Sequence, residues 1–197
     1  MLVTLDLSFE QRLRLKQLAG IGDEDILRFL GFSLNLPTAE FVDELQRCVS
    51  EVELLNTTMH RQVAELLIEY SNAAKQPLTG KLVKFKDFPG GIAYENAFVR
   101  KGVDPIMHGF SGDPEGLVEV ASILGGKRLE FGRISVEIPA LHSVPLTYIL
   151  WVDEDLPPSA NVLFDESACG YLNVEGLSNL TELTTWRLLL TQKLLRK

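Results

Sequence analysis

The chain has 197 residues, of which 46% are hydrophobic and 23% charged, so it is long enough for a substantial core and wholesale disorder is unexpected. Its formal net charge of −8 disfavours sequence-independent binding to nucleic acid or to an anionic membrane surface. The sequence contains no uncharged apolar run that could cross a membrane, and charges interrupt its first residues where a signal peptide would need an apolar stretch.

Cysteine usage points to a reducing compartment. The two cysteines, Cys48 and Cys169, are far apart in sequence and cannot form a disulfide framework. Together with the missing signal peptide, they predict a cytoplasmic protein with free thiols.

Residues 1–76 are predicted to be helical throughout. Apolar residues recur there at three- and four-residue spacing, and Ser8 and Gly31 fit helix boundaries. The predicted helices are 9–19, 23–30, 37–52 and 59–70.

The pattern changes after residue 77, where short strands and helices are both predicted. Residues 144–152 are β-branched, aromatic and continuously apolar, as in a central strand, and residues 161–164 would pair with them antiparallel. Residues 81–85 form a further strand, and residues 129–138 form one bulged strand or a tight hairpin. The helices here are 92–101, 105–110, 114–124 and 174–197.

The expected fold is therefore α+β, with a small antiparallel sheet packed by helices and an all-helical N-terminal region. The division falls between residues 1–76 and 77–197, with one compact unit as the alternative.

Several segments between residues 77 and 180 carry a family resemblance. They read PLTGKLVKFKDFPGGIAYENAF (77–98), DP (104–105), FSGDPEG (110–116), LGG (124–126), VPLTYILWVDEDLPPSANVLFDES (144–167) and YLNVEGL (171–177). In this order and spacing the chain resembles the bacterial and archaeal domain of unknown function 3786 family. Some members look fused to an iron–sulfur module of the kind seen in corrinoid proteins, so the resemblance implies a link to corrinoid or one-carbon metabolism.

This sequence departs from the family pattern in two respects. It lacks the clustered cysteines that an iron–sulfur cluster needs, so the resemblance implies no such cluster here and the cofactor stays unknown. Its first 70 residues do not resemble the usual N-terminal part of the family. The resemblance also supplies no catalytic residue.

Two groups of residues are candidates for a ligand site. A basic strand ends in a glycine pair that could direct backbone N–H groups at a small anion, and acidic residues follow the strands at 144–152 and 161–164. The alternative is a plain strand–turn–helix for the first group and solvated turn residues for the second. The candidate residues are Lys81, Gly90, Gly91, Tyr94, Arg100, Asp153, Glu154 and Asp165.

Three functions remain open from these residues. The leading one is a non-catalytic accessory protein that binds a small anionic ligand or a partner protein near Gly90. The second is a metal-dependent hydrolase that uses Asp153, Glu154 or Asp165, although no histidine or cysteine has a metal-site spacing. The third is an adaptor that dimerises through the C-terminal helix at residues 184–195, whose apolar surface could instead pack against the sheet.

Overall fold

The described part of the chain forms two antiparallel sheets and six α-helices, in a computed structural model that covers residues 2–45, 57–153 and 155–196. The mixed α+β class predicted from the sequence is therefore confirmed. Cys48, Glu154 and the second half of the helix predicted at residues 37–52 lie outside the described residues.

The N-terminal region is not all-helical, and this prediction was wrong. A helix is present where Ser8 caps it, but the segments on either side of Gly31 and after Pro37 form strands. Their burial alternates with a period of two, because one face of the small sheet packs on the core. In chain order the elements are β1 (Leu2–Thr4), α1 (Phe9–Ala19), β2 (Ile26–Phe29), β3 (Phe32–Asn35), β4 (Glu40–Asp43) and α2 (Thr57–Ser71).

Gly31 belongs to a hairpin turn rather than to a helix end. Phe29 pairs with Phe32, and the two residues between them, Leu30 and Gly31, both have positive φ angles of 49° and 74°. Two consecutive positive φ angles match the right-handed twist of the strands that such a turn joins. The first sheet then has the order β1-β4-β3-β2.

The second half of the chain follows the predicted order of elements. The strand predicted to be central, now β8, is third in a five-stranded sheet of order β5-β9-β8-β7-β6, and nearly all of its residues are buried. The segment at 129–138 contributes to a hairpin of two strands. The elements are β5 (Leu82–Lys84), α3 (Gly91–Phe98), α4 (Asp104–Phe110), α5 (Pro114–Ile123), β6 (Lys127–Leu129), β7 (Ile134–Leu141), β8 (Val144–Trp151), β9 (Ser159–Asp165) and α6 (Val174–Leu195).

The long helix α6 is enclosed by the rest of the chain on most of its surface. It packs against α2, α3, α4 and α5, and the buried Thr185 bonds to two neighbouring elements. The hydroxyl of Thr185 donates to the Gly102 carbonyl oxygen at 2.7 Å and lies 3.1 Å from the hydroxyl of Tyr148 in β8. The apolar surface of α6 therefore serves packing within the chain, and dimerisation through it stays a prediction.

Arg187 connects α6 to the first sheet through a fully buried ion pair. Its guanidinium makes two parallel contacts with the Asp43 carboxylate at the end of β4, at 2.7 and 2.8 Å. It also donates to the carbonyl oxygens of Leu30 and Gly31 in the hairpin turn, and it lies over the Phe32 ring. Residues of both predicted halves share one apolar core, while the division at residue 77 itself stays a prediction.

None of the helices in the described ranges combines the length and the apolar character that a membrane crossing demands.

Candidate functional site

The candidate site is an open groove of about 550 Å³ between the start of α3 and the start of α6, called here the α3–α6 groove. Two of the segments that carry the family resemblance form its walls. One wall is the turn before α3 with the first turn of that helix, and the other is the chain that leads into α6. The lining residues are Pro89, Gly90, Tyr94, Cys169, Leu172, Asn173, Val174 and Glu175.

The first wall depends on the glycine pair. Gly90 has a φ angle of 85°, which favours glycine because a side chain would strain the backbone there. Gly91 is buried, and a Cβ atom on it would lie 2.2 Å from the carbonyl oxygen of Phe85. The turn can therefore fold tightly onto the end of β5, and this places Tyr94 at the groove.

The second wall is fixed by side-chain hydrogen bonds to the backbone. The Tyr171 hydroxyl donates to the Gln76 carbonyl oxygen at 2.6 Å and accepts from the Gln76 N–H at 2.9 Å. The Asn173 side chain caps α6 by accepting from the Gly176 N–H. Glu69 of α2 accepts from the Asn173 N–H at 2.6 Å. These bonds hold the segment 171–175 in place beside α3.

Asp165 is a structural carboxylate and does not line the groove. It is 4% exposed at the end of β9 and accepts hydrogen bonds from Thr79, from the Gly80 N–H and from Ser167. Burial acts to raise the pKa of Asp165, but these bonds, led by that from the Ser167 hydroxyl, outweigh it and lower the pKa to about 2. Asp165 thus holds the backbone at Thr79 and Gly80 against the end of β9.

We expect Asp165→Asn to lose stability at neutral pH, and the loss to disappear in acid. The folded pKa is lowered from 3.8 to about 2. The ionised carboxylate therefore contributes about 2.5 kcal/mol above pH 4, and this contribution fades as the pH falls towards 2. Urea unfolding of both proteins at pH 7, 5, 3 and 2 measures the difference, which should be the same at pH 7 and 5, about half as large at pH 3 and nearly gone at pH 2. The exposed Asp153→Asn is the control and should change the free energy of unfolding by less than about 0.5 kcal/mol throughout. An Asp165→Asn difference that does not depend on pH would contradict this role.

The predicted anion pocket is not assembled as a unit. Gly90 and Tyr94 line the groove, and Gly91 supports them. Lys81 forms an ion pair with Glu166 at 2.6 Å. Arg100 lies beyond the end of α3, because the helix continues into a π-helical turn at Val99–Val103 and does not fold back towards the glycines. Of the described residues, the charged side chain that lines the groove is Glu175, which disfavours an anion.

The carboxylates that a shared metal ion would need do not come together. Register pairs Trp151 with Ser159, so Asp153 follows β8 at one end of the sheet, while Asp165 ends β9 at the other. Six residues of strand separate the two ends, which is about 20 Å. Within the described ranges, no three His, Cys, Asp or Glu side chains come close enough to hold a metal ion.

The wall of the groove that leads into α6 was not predicted from the sequence to be part of a site. The sequence predicts only a free thiol at Cys169, and it assigns Leu172, Asn173 and Glu175 only to a resembling segment and a helix start. Cys169 is exposed, and its thiol donates weakly to the Glu166 carbonyl oxygen at 3.5 Å. One sequence feature pointed to this wall: residues 88–94 and 171–177 both belong to the segments that carry the family resemblance.

A second depression, of about 620 Å³, lies between the β2–β3 hairpin and the end of α5. Its lining comes mainly from the N-terminal sheet, and the guanidinium of its Arg28 already contacts Glu24 at 2.7 Å. The α3–α6 groove is the better candidate, because the resembling segments form both of its walls.

Comparison with known proteins places the chain in a family. No curated protein and no solved structure matches it. The match to the family extends the resemblance towards the N-terminus, since it includes α2 and begins directly after β4. Residues 44–187 match the family described as Domain of unknown function (DUF3786), and because this is well over half of the chain, the protein belongs to that family.

Proposed function

We propose that the chain is a non-catalytic accessory protein that binds a small ligand in the α3–α6 groove. The observation that carries this proposal is the meeting of two family-resembling segments around one open groove. Its volume of about 550 Å³ lies within the range of small-molecule sites in proteins.

The lining favours a ligand with an apolar body and a neutral or cationic polar group. Pro89, Tyr94 and Val174 offer apolar and aromatic surface, and the side chains of Asn173 and Glu175 offer hydrogen-bonding groups. An anionic ligand, which the sequence suggested, would face the Glu175 carboxylate without a compensating cation among the groove residues. A corrinoid remains among the ligand classes to be tested, because the family resemblance suggests it.

Binding rather than catalysis fits the chemistry of the groove. The Cys169 thiol bonds to a backbone carbonyl, and no histidine of the described chain lines the groove to act as its base. Of the acids named for the metal-dependent hydrolase, Asp153 and Asp165 lie at opposite ends of their strands and cannot share an ion. Glu154 lies outside the described residues.

Ligand binding should depend on Tyr94 and be blocked by a bulky residue at position 169. The probes are a nucleoside, a polyamine, a neutral aromatic amide and cobinamide, each screened by thermal shift and titrated by calorimetry. We expect Tyr94→Ala to weaken a bound probe about tenfold or more, because truncating a buried aromatic contact removes over 1 kcal/mol. Cys169→Trp should abolish binding by filling the groove.

Ile92→Ala is the matched control, because Ile92 is on the same helix and 80% exposed but does not line the groove. Ligand occupancy should also slow the modification of Cys169 by N-ethylmaleimide. Peptide mass spectrometry separates this site from Cys48. If none of the probes stabilises the protein or protects Cys169, the small-molecule proposal fails.

A further inference from the structure

One end of the second sheet carries exposed apolar side chains that the groove does not use. The loop between β6 and β7 and the loop between β8 and β9 leave the sheet at the same end, because Ile134 pairs with Leu150 and Trp151 with Ser159. The β6–β7 loop touches the end of β8 there, since a Cβ atom on Gly132 would lie 2.8 Å from the Trp151 indole nitrogen. The apolar residues at this end, called here the sheet-end patch, are Phe131, Trp151 and Leu156.

These side chains are exposed although they are large. Phe131 is 47% exposed, Trp151 40% and Leu156 67%. A tryptophan held at the end of a rigid central strand is the type of residue that dominates binding energy at protein interfaces. Large exposed apolar side chains gathered at one end of a sheet and flanked by polar residues are typical of an interaction site.

The rim of the sheet-end patch is acidic. Glu130, Asp153 and Asp155 are exposed, and none of them forms an ion pair with another residue in the described ranges. Arg133 is the one positively charged residue in the described parts of these two loops. Elsewhere on the described surface, Glu115, Glu166 and Glu182 are paired with lysine or arginine, whereas Asp6 and Glu119 are not. What distinguishes the rim is that three such acids flank exposed apolar residues at one end of a sheet.

We propose that the sheet-end patch is a docking site for a partner protein that presents lysine or arginine side chains around an apolar anchor. Cations from the partner would meet the unpaired rim carboxylates, while an apolar side chain would cover Trp151 and Leu156. A second copy of this chain is disfavoured, because its own patch would bring the same carboxylates face to face. Nucleic acid is disfavoured because its phosphates would meet an acidic rim.

The test uses three labelled synthetic peptides with the full-length protein. One alternates lysine and leucine, one alternates lysine and serine, and one alternates glutamate and leucine. Fluorescence anisotropy gives the dissociation constants at low and at physiological salt. We expect the lysine–leucine peptide to bind at least about tenfold more tightly than either of the others, and salt to weaken it.

Variants then locate the binding. Leu156→Ser and Trp151→Ala should each weaken the lysine–leucine peptide at least about fivefold, and the Asp153→Lys/Asp155→Lys pair about tenfold. Leu156 lies in an exposed loop, so its variant keeps the test valid if Trp151→Ala fails to fold. The control pair Asp6→Lys/Glu119→Lys changes the net charge equally at exposed carboxylates on other elements and should leave the affinity unchanged.

Four results would overturn the proposal. They are no binding of the lysine–leucine peptide, equal binding of the lysine–serine peptide, an equal loss in the control pair, and a dimer by light scattering that Leu156→Ser dissociates. The last would make a second copy of this chain the occupant.

Discussion

Arg187→Met is expected to lower the free energy of unfolding by about 3–5 kcal/mol. The guanidinium has no exposed surface, and its removal leaves the Asp43 carboxylate buried without its cation. The carbonyl oxygens of Leu30 and Gly31 lose their donors at the same time. Burial lowers the pKa of Arg187 below its usual value, although the Asp43 carboxylate acts to raise it. Urea denaturation followed by circular dichroism measures the loss.

The double variant Asp43→Leu/Arg187→Met separates the penalty for burying a carboxylate without its arginine from the value of the ion pair. Replacing both partners by apolar residues removes the buried carboxylate together with its cation, so the double variant should recover about 2 kcal/mol relative to Arg187→Met. Arg187→Lys keeps the charge but loses the two parallel bonds, and it should lie between wild type and Arg187→Met. A loss below about 1 kcal/mol for Arg187→Met would show that the pair does not hold α6 to the first sheet.

Gly91→Ala is expected to cost about 3 kcal/mol, which is large for the addition of one methyl group. The new Cβ atom would lie 2.2 Å from the Phe85 carbonyl oxygen and 3.0 Å from the Lys86 Cα atom. Both are backbone atoms, so no side-chain rotation relieves the clash, and the turn before α3 has to shift. Because that turn positions Tyr94, ligand binding in the α3–α6 groove should weaken as well.

Gly112→Ala is the matched control for this substitution. A Cβ atom on Gly112 meets nothing within 4 Å, so the variant should stay within about 0.5 kcal/mol of the wild type. Equal urea midpoints for the two variants would mean that the close approach of Gly91 to the backbone of Phe85 and Lys86 has no energetic weight.

The second half of the fold could be predicted because local signals agree with tertiary structure there. Residues 144–151 are buried along nearly their whole length, and a continuous apolar run with β-branched residues indicates such a strand. Asp113 and Asn173 cap α5 and α6 as their side-chain chemistry predicts.

The first half was mispredicted because a distant contact decides its geometry. Leucine rarely adopts the positive φ angle that Leu30 has here, so the hairpin turn has no local signature of the Asn-Gly kind. Arg187, 157 residues away, bonds to the Leu30 carbonyl oxygen. No pattern read within a short window carries this information.

The candidate site could be predicted only in part, because one of its two walls also depends on a contact between residues far apart in sequence. The turn at Gly90 was visible in the sequence, whereas its opposite wall depends on Tyr171 bonding to Gln76 across 95 positions. Lys81 and Arg100 are candidates because of their positive charge, and Arg100 also requires the helix to return towards the glycines. The helix instead continues into a π-helical turn, so Arg100 lies away from them.

The buried ion pair straddles the border of the family match. Asp43 immediately precedes the first matched residue, and Arg187 is the last. A fragment trimmed to the matched residues would lose Asp43 and the hairpin that cover Arg187, and the arginine would become the solvated end of a shortened α6. The first sheet, moved alone to another protein, would in turn leave Asp43 without this cation.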